Sequence, residues 1–316
     1  MNKSWKKLLA GCGIFVLLGA VAAGGYMWHL YHQAEAAAMD MYEPLPESWP
    51  PFTSSDHEVV QLKGQPESGS KGQGYTVLII GSDSRAGEQG RADTLVVASV
   101  QPQTRDTLLL SIPRDTRTEI AGLGIEDKIN HAYAFGGAAM TVRTVELLLD
   151  YPIDYYISVD MKGFKAIIDH LGGVKVNNPT AFQHEGYKFK QGLIELDGSQ
   201  ALEYSRMRKQ DPRGDLGRSE RQRQVLSALA NKTLRPSTAL QMDKLLRSTA
   251  KMVKTNMTFE DMKRCASEFR GKPPRMREME IAGSGRLIKG IWYYVVDEDE
   301  RMRLHEQLKL HGHGRA

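Results

Sequence analysis

An arginine-rich stretch between residues 203 and 224 is the first candidate for chemistry in this sequence. EYSRMRKQDPRGDLGRSERQRQ carries six arginines and one lysine in 22 residues, although the whole chain has a formal net charge of only +4. The planar guanidinium group suits bidentate hydrogen bonding to phosphate or carboxylate oxygens. The stretch is therefore either a solvated basic surface or a site for an anion.

The pattern around these arginines predicts two helices. Gly198 to Ser205 is the first, so Arg206 and Arg208 follow near its C-terminal end, where a cation is electrostatically favoured. QDPRGD is typical of a turn, and the second predicted helix begins after Asp215 and runs to about Leu234, before Pro236.

The periodicity of the second predicted helix indicates which of its arginines point toward the protein interior and which point toward solvent. At 100° per residue, Arg218 and Gln222 share a face with Val225 and are predicted to point inward, whereas Arg223 faces away. Arg213 and Arg223 are interpreted as solvated charges. An inward arginine in a first helical turn lies at the positive end of the helix dipole, which is favourable when an anion binds there. The second helix thus predicts an anion pocket.

A second cluster follows the first predicted strand. GSDSRAGEQGRADTLVV places Asp83, Arg85, Arg91 and Asp93 around a glycine-containing loop. Two facing carboxylates repel each other unless a cation or an arginine lies between them. Mg²⁺ is typically held by one or two carboxylates together with substrate phosphates and water. The pair is therefore either a magnesium site or two turn-forming aspartates.

A third cluster, SIPRDTRTEI, places Arg114, Asp115 and Arg117 at the end of another predicted strand. Loops at strand ends are where binding and catalytic residues are concentrated. Arginine beside aspartate at such a position either binds an anion or forms a structural ion pair, and both readings stay open for Asp115 and Arg117.

The elements that must position these clusters alternate along the chain. YTVLIIG, DTLVVASVQ, DTLLLSIP and YYISVD are short apolar runs typical of buried strands. Gly137 to Leu149 and MKGFKAIIDHLGG have helical spacing, and GIWYYVVDEDERMRLHEQLKL predicts a final strand and helix. This order predicts an α/β fold in which a mixed central β-sheet is sandwiched between helices.

The N-terminus predicts a membrane anchor. MNKSWKK carries three lysines and is followed by Leu8 to Trp28, 21 residues without a charge, which is enough to span a bilayer. The positive-inside rule then places residues 1–7 in the cytoplasm and the remainder outside, as a single-pass type II protein. A signal peptide cleaved near Ala20 to Ala23 is the alternative, but the apolar run continues past those residues.

The remaining chain divides into a linker and a catalytic domain. Residues 29–73 are rich in alanine, proline and glycine and are interpreted as an extracytoplasmic linker, and 74–316 as the domain, with its motifs between 75 and 234. With 41% hydrophobic and 25% charged residues, the composition is that of a globular protein. One of the two cysteines, Cys12, lies in the predicted anchor, so no disulfide is expected to hold the domain.

Six motifs in this order resemble the LytR–CpsA–Psr proteins. They are VLIIGSDSR, RADTLVVASV, SIPRDTR, KINHAYAFGG, LDGSQALEYSRMR and GDLGRSERQRQVL, which together cover Tyr75 to Leu234. Bacillus-type members of that family are wall teichoic acid ligases, and the predicted anchor and linker match the family's usual layout.

The resemblance implies a function and a site. Its members transfer a glycopolymer phosphate from a polyprenyl diphosphate carrier to a peptidoglycan hydroxyl, with the lipid tail in an apolar tunnel of an α-β-α fold. Asp83 and Asp93 match the aspartates that hold Mg²⁺, for which Mn²⁺ is a plausible substitute because it also takes oxygen ligands. The diphosphate-binding residues correspond to Arg85, Arg91, Arg114, Arg117, Arg206, Arg208, Arg218 and Gln222. Those with expected catalytic roles are Asp83, Asp93, Arg114, Arg206 and Arg218.

Three other classes of function would require different sets of residues. A nucleic-acid-binding regulator is disfavoured, because the arginines lie on the outer side of the predicted membrane and the stretch lacks interleaved aromatics for base stacking. A non-catalytic receptor for anionic wall polymer needs the arginines but not the paired aspartates. A polyprenyl diphosphate hydrolase keeps the same pocket and uses water as the acceptor. We find no P-loop pattern for a nucleotide donor.

Overall fold

A six-stranded mixed β-sheet forms the centre of the protein in the computed structural model, which describes residues 28–46, 72–84, 90–233, 242–269 and 274–312. In chain order the elements are α1 (28–41), β1 (Tyr75–Ser82), β2 (Ala92–Gln101), β3 (Asp106–Ser111), β4 (Arg117–Ile120), β5 (Ile125–Lys128), α2 (His131–Leu149), β6 (Tyr155–Asp160), α3 (Met161–His170), β7 (Val174–Asn178), β8 (Phe182–His184), β9 (Tyr187–Phe189), β10 (Gly192–Leu196), α4 (Gly198–Arg206), α5 (Asp215–Thr233), α6 (Met242–Thr249), β11 (Val253–Thr255), α7 (Phe259–Glu268), β12 (Arg275–Met279), β13 (Ser284–Ile288), β14 (Ile291–Val295) and α8 (Glu298–Gly312).

Both faces of the sheet are covered, as the continuous apolar strands predict. Leu78 and Ile80 of β1 face a core shared with α2 and α8, whereas Val77 faces a second core that includes Met257 and Phe269. Because successive side chains of a strand point to opposite faces, one apolar run supplies both cores. The predicted α/β sandwich with a mixed sheet is confirmed.

The helix that covers one face begins with a break. Residues from His131 form a first helical turn, which is interrupted at Gly136 and at Gly137, whose φ is 63°. An L-residue with a side chain rarely adopts that angle, so glycine is needed at the break. The regular helix therefore begins at Ala138, one residue after the predicted start, and ends at Leu149 as predicted.

Strand direction brings the chemistry-bearing segments to one edge. β1 is parallel to β6, and β2 is antiparallel to both β1 and β3. The C-terminal ends of β1, β3 and β6 therefore meet at one edge of the sheet, together with the start of β2. Crevices at the carboxyl ends of parallel strands are the usual ligand sites of open α/β sheets.

The segment 28–46 packs against β11, the strand at one lateral edge of this sheet. Ala37 and Met41 are buried against Ala250 and Val253, and the backbone N–H of Glu43 donates to the Thr255 carbonyl at 2.8 Å. The sequence assigns these residues to the linker, and the structure places them on the domain.

The predicted membrane span, residues 8–28, lies outside the described residues except for its last position. Within the described ranges, no helix combines the length and the apolar character needed to cross a bilayer.

Candidate active site

A cavity of about 700 Å³ opens at the edge where the strands end. Its apolar walls come from β1, β6 and three helices, and include Ile79, Val159, Phe164, Leu202, Val225 and Leu226. Its charged lining consists of Asp93, Arg114, Asp160, His184, Glu185, Glu203, Arg206, Arg208, Lys209 and Arg218. A cavity that is lined by both charged and apolar side chains fits a ligand that has an ionic head and an apolar tail.

Arg114 and Asp93 form an ion pair in this cavity. Arg114 follows β3 and donates through Nη1 to Asp93 Oδ1, at the start of β2, at 2.6 Å. Burial alone would lower the pKa of Arg114, but the hydrogen bond and charge of Asp93 outweigh it and leave this pKa raised. The adjacent Asp115 bonds Lys128 at 2.8 Å, so the loop that carries Arg114 is itself held by an ion pair.

Arg218 lies in the first turn of α5 and points into the cavity, as the helical pattern predicts. The residue is 7% exposed and pairs with Asp215 at 2.8 Å. Burial lowers the pKa of its guanidinium, and the carboxylate of Asp215 offsets this only in part. Arg114 and Arg208 are close enough to lower the pKa further, so three cations converge there. Such a cluster is stabilised by a bound anion.

Two unused donors mark where that anion would bind. Among the described residues, the Nε atoms of Arg114 and Arg218 are buried and have no hydrogen-bond partner. The nearest carboxylate oxygen to the Arg114 Nε, Asp115 Oδ2, is 3.8 Å away, which is too far for a hydrogen bond. A buried N–H without an acceptor costs free energy, and guanidinium groups bind phosphate oxygens through two adjacent donors. Both arginines therefore have donors ready for an anionic ligand.

Arg206 and Arg208 lie nearer the surface at the C-terminal end of α4. Arg206 donates to Glu203 at 3.3 Å, and its side chain is 48% exposed. Gln222, one turn after Arg218 on α5, also lines the cavity. The structure thus brings six of the predicted site residues to one cavity: Asp93, Arg114, Arg206, Arg208, Arg218 and Gln222.

Three other predicted site residues, Asp83, Arg91 and Arg117, are not among the residues that line the cavity. Arg117 pairs with Glu126 across the β4–β5 hairpin and is not among the residues that line the cavity. This is the structural ion pair that the sequence left open. Asp83 follows β1, where its Oδ1 accepts from the Arg91 backbone N–H, and the Arg91 residue is exposed. Arg85 lies outside the described residues.

The prediction that Arg223 is a solvated charge is wrong. The residue is 2% exposed and bonds Glu278 at 2.7 Å and Glu280 at 3.1 Å. The helical pattern identifies the face turned to the cavity, but a second face of α5 is also covered, by the end of β12. Arg213 is exposed, as predicted, and pairs with Glu220 on the surface.

Sequence reasoning missed several residues of the cavity region. Asp160 lines the cavity, where its side chain caps α3 by accepting from the Gly163 N–H; its position between a strand and a helix is a signal for such a cap. Arg221 lies on the same helix face as Arg218 and is buried behind the cavity wall. The spacing of three residues between Arg218 and Arg221 predicts that both lie on the same face of α5.

Asp83 and Asp93 are the two carboxylates that the sequence predicts as magnesium ligands. Both lie at the same edge of the sheet, and each uses Oδ1 for a protein contact, so Oδ2 is the atom that would take a metal. The described residues contain no group of three or more His, Cys, Asp or Glu side chains suited to a metal. Two carboxylate oxygens are donors of the kind that Mg²⁺ takes, and its remaining ligands would come from phosphate and water.

Comparison with known proteins gives consistent matches. The LytR_cpsA_psr family model matches residues 30–310. The polyisoprenyl-teichoic acid–peptidoglycan teichoic acid transferase TagU of Bacillus subtilis (strain 168) is 41% identical over 308 residues, which cover 98% of this chain and 97% of the relative. The crystal structure of B. subtilis TagU matches with a TM-score of 0.63 and 43% identity, over 76% of this chain and 96% of that one. A structure of TagT bound to LIIa-WTA matches with a TM-score of 0.69 and 26% identity, over 85% of this chain and 99% of that one.

Proposed function

Because this chain belongs to the LytR_cpsA_psr family, we infer that it is a transferase that moves teichoic acid from a polyisoprenyl lipid carrier to peptidoglycan. The observation that carries this function is the pair of buried arginine donors, on Arg114 and Arg218, in a cavity that also has apolar walls. The relatives whose names specify this reaction align over nearly the whole chain. A transferase of cell wall assembly acts outside the cytoplasm.

The cavity accounts for binding of the carrier. The diphosphate lies among Arg114, Arg206, Arg208 and Arg218, with Gln222 beside them, and the polyprenyl chain extends along the apolar wall. Burying apolar surface contributes about 25 cal/mol per Å², so the tail supplies affinity while the arginines fix the position of the phosphates.

The arginines of the cavity would stabilise the transition state through their positive charge and would align the reacting groups. The acceptor hydroxyl oxygen bonds to the phosphorus attached to the glycopolymer, and the bond from that phosphorus to the bridging oxygen breaks. Polyprenyl phosphate leaves with the electron pair, and the proton of the acceptor hydroxyl passes to the leaving phosphate or to water. Phosphoryl transfer of this kind depends on alignment and charge neutralisation, which Arg114 and Arg218 provide from a low-dielectric site. The diphosphate bond of the donor supplies the driving force, so no nucleotide is required.

Asp83 and Asp93 would hold Mg²⁺ beside the diphosphate. When bound, the ion supplies positive charge to the phosphate oxygens. Asp93 also orients Arg114 through their ion pair, so it links the proposed metal position to the arginines.

Release of polyprenyl phosphate tests the function. The full-length protein in detergent, given a short-chain polyprenyl diphosphate glycolipid and peptidoglycan fragments, should release polyprenyl phosphate and attach polymer to the fragments. Omission of the fragments should suppress release. Equal release without an acceptor would indicate a hydrolase, and binding of the glycolipid without any release would indicate a receptor.

Membrane topology gives an independent prediction. We propose that residues 8–28 are a retained signal anchor, with residues 1–7 cytoplasmic and the catalytic domain outside. External protease on intact protoplasts should digest the domain and leave a small membrane-bound fragment. Protection of the whole chain would contradict this topology and the external substrate together, whereas recovery of a soluble domain that lacks the anchor would indicate a cleaved signal peptide.

A further inference from the structure

Arg221 uses every nitrogen of its guanidinium group inside the protein. Nε donates to the Tyr204 carbonyl at 3.1 Å, Nη2 to the Met207 carbonyl, and Nη1 to Asp211 Oδ2 at 2.5 Å. The guanidinium also lies 5.5 Å from the centre of the Phe182 ring, and the side chain is 5% exposed. These contacts join α5 to the end of α4 and to the loop that follows it.

Asp211 lies in the loop after α4 and is the carboxylate partner of Arg221. Burial raises the pKa of its carboxyl, but the hydrogen bonds from Arg221 and from the Arg213 backbone outweigh this and leave the pKa lowered. The carboxylate lies so close to α5 that a Cβ on Gly217 would be 1.8 Å from Asp211 Oδ2. Glycine at position 217 therefore permits the loop to approach the helix immediately beside Arg218.

The two segments joined by Arg221 carry the two halves of the phosphate site. Arg206 and Arg208 flank the Met207 carbonyl that Arg221 binds, while Arg218 and Gln222 lie on the helix that carries Arg221. We propose that Arg221 is a positioning residue that sets the spacing between these two groups of phosphate ligands. This proposal rests on the proposed function, because it assumes that both groups bind one diphosphate.

A direct contact between Arg221 and the substrate does not fit the geometry. Its donors are all directed at protein acceptors, and within the described residues Arg221 is not among those that line the cavity. Its effect on the phosphates must therefore pass through Arg206, Arg208 and Arg218. Misplacement of binding groups by even an ångström is costly when several ligands must converge on one anion.

The affinity for inorganic pyrophosphate depends on the distance between the two groups of phosphate ligands, and it can be measured without catalysis. We expect Arg221→Gln, in the full-length protein in detergent, to raise the pyrophosphate Kd about tenfold, since tenfold corresponds to the loss of one good contact. Arg221→Lys keeps the charge but lacks the planar fork that reaches two carbonyls and a carboxylate, so it should rescue the affinity by no more than about threefold. Calorimetry gives the Kd, and thermal unfolding monitors the fold.

Arg223→Gln is the matched control. Arg223 is also a buried arginine on α5, but its partners Glu278 and Glu280 lie away from the cavity. We expect this variant to lower the melting temperature and to leave the pyrophosphate Kd within about twofold of the wild type. Equal weakening in both variants would mean that any loosening of α5 is sufficient, which would overturn the proposal.

A mutant cycle in a background that carries both Arg206→Ala and Arg208→Ala completes the test. When both arginines are absent, their distance from Arg218 no longer matters, so the effect of Arg221→Gln should fall to about threefold or less. Undiminished loss in that background would overturn the proposal for Arg221 and leave the proposed function intact. Unchanged binding in both Arg206→Ala and Arg218→Ala would instead contradict the phosphate site itself. If Arg221→Gln does not fold, Arg221→Lys takes its place in the cycle.

Discussion

Arg218→Ala is expected to lower the kcat of teichoic acid transfer by about 10²–10³-fold, the usual cost of removing a preorganised donor from a charge-developing site. The side chain is buried in the cavity wall, and its Nε has no protein partner among the described residues. Its charge is therefore available to the phosphates in a place that water cannot easily fill. Release of polyprenyl phosphate under saturating glycolipid measures the loss.

Arg213→Ala provides the matched control for this prediction. Arg213 lies in the same arginine-rich stretch, but its side chain is 50% exposed and pairs with Glu220 on the surface. Transfer by this variant should stay within about twofold of the wild type, because exposed ion pairs contribute little. Similar losses in the two variants would indicate that the stretch acts through its overall charge and not through a defined pocket.

Asp93→Ala should abolish most turnover while the protein still binds the lipid diphosphate. Its removal frees Arg114 from an ion pair of 2.6 Å, so the cationic site remains available to phosphate. The proposed Mg²⁺ would lose one of its two carboxylates, and with it the charge that supports the departing polyprenyl phosphate. EDTA should produce the same loss in the wild type, and added Mg²⁺ or Mn²⁺ should reverse it.

Asp93→Asn separates the two possible roles of this carboxylate. Asparagine keeps an oxygen that can accept from Arg114 but lacks the negative charge that a divalent cation favours. Loss of turnover and of Mn²⁺ binding in this variant would support the metal site. Full turnover in Asp93→Asn, or wild-type activity in EDTA, would assign Asp93 to the orientation of Arg114 and remove the metal from the mechanism.

The sequence predicts the sheet and much of the cavity because the signals are local. The strand with Leu78 and Ile80 is a continuous apolar run that must be buried on both faces, and its end determines where the following loop lies. Arg218 was placed correctly because the 100° rotation per residue puts it on one face with Val225.

The same periodicity could not identify what covers the remaining faces of a helix. Arg223 is buried because β12, some 50 residues later in the chain, brings Glu278 beside α5. Arg117 carries the residue type of a phosphate ligand, and only the β4–β5 register shows that Glu126 is its partner. The first contact joins residues that are far apart in sequence, and the second depends on the register of a hairpin. Helical periodicity carries no information about either.

The packing of residues 28–46 determines how far the enzyme can reach. If the 45 residues from 29 to 73 formed a flexible tether, the root-mean-square distance between its two ends would be about 37 Å. Helix α1 begins at Trp28, the last residue of the span that we propose, and it packs on the domain. An anchor that ends at Trp28 would therefore hold the domain close to the bilayer. The search for the carrier would then take place in two dimensions, and the glycan strands would have to approach the membrane to receive the polymer.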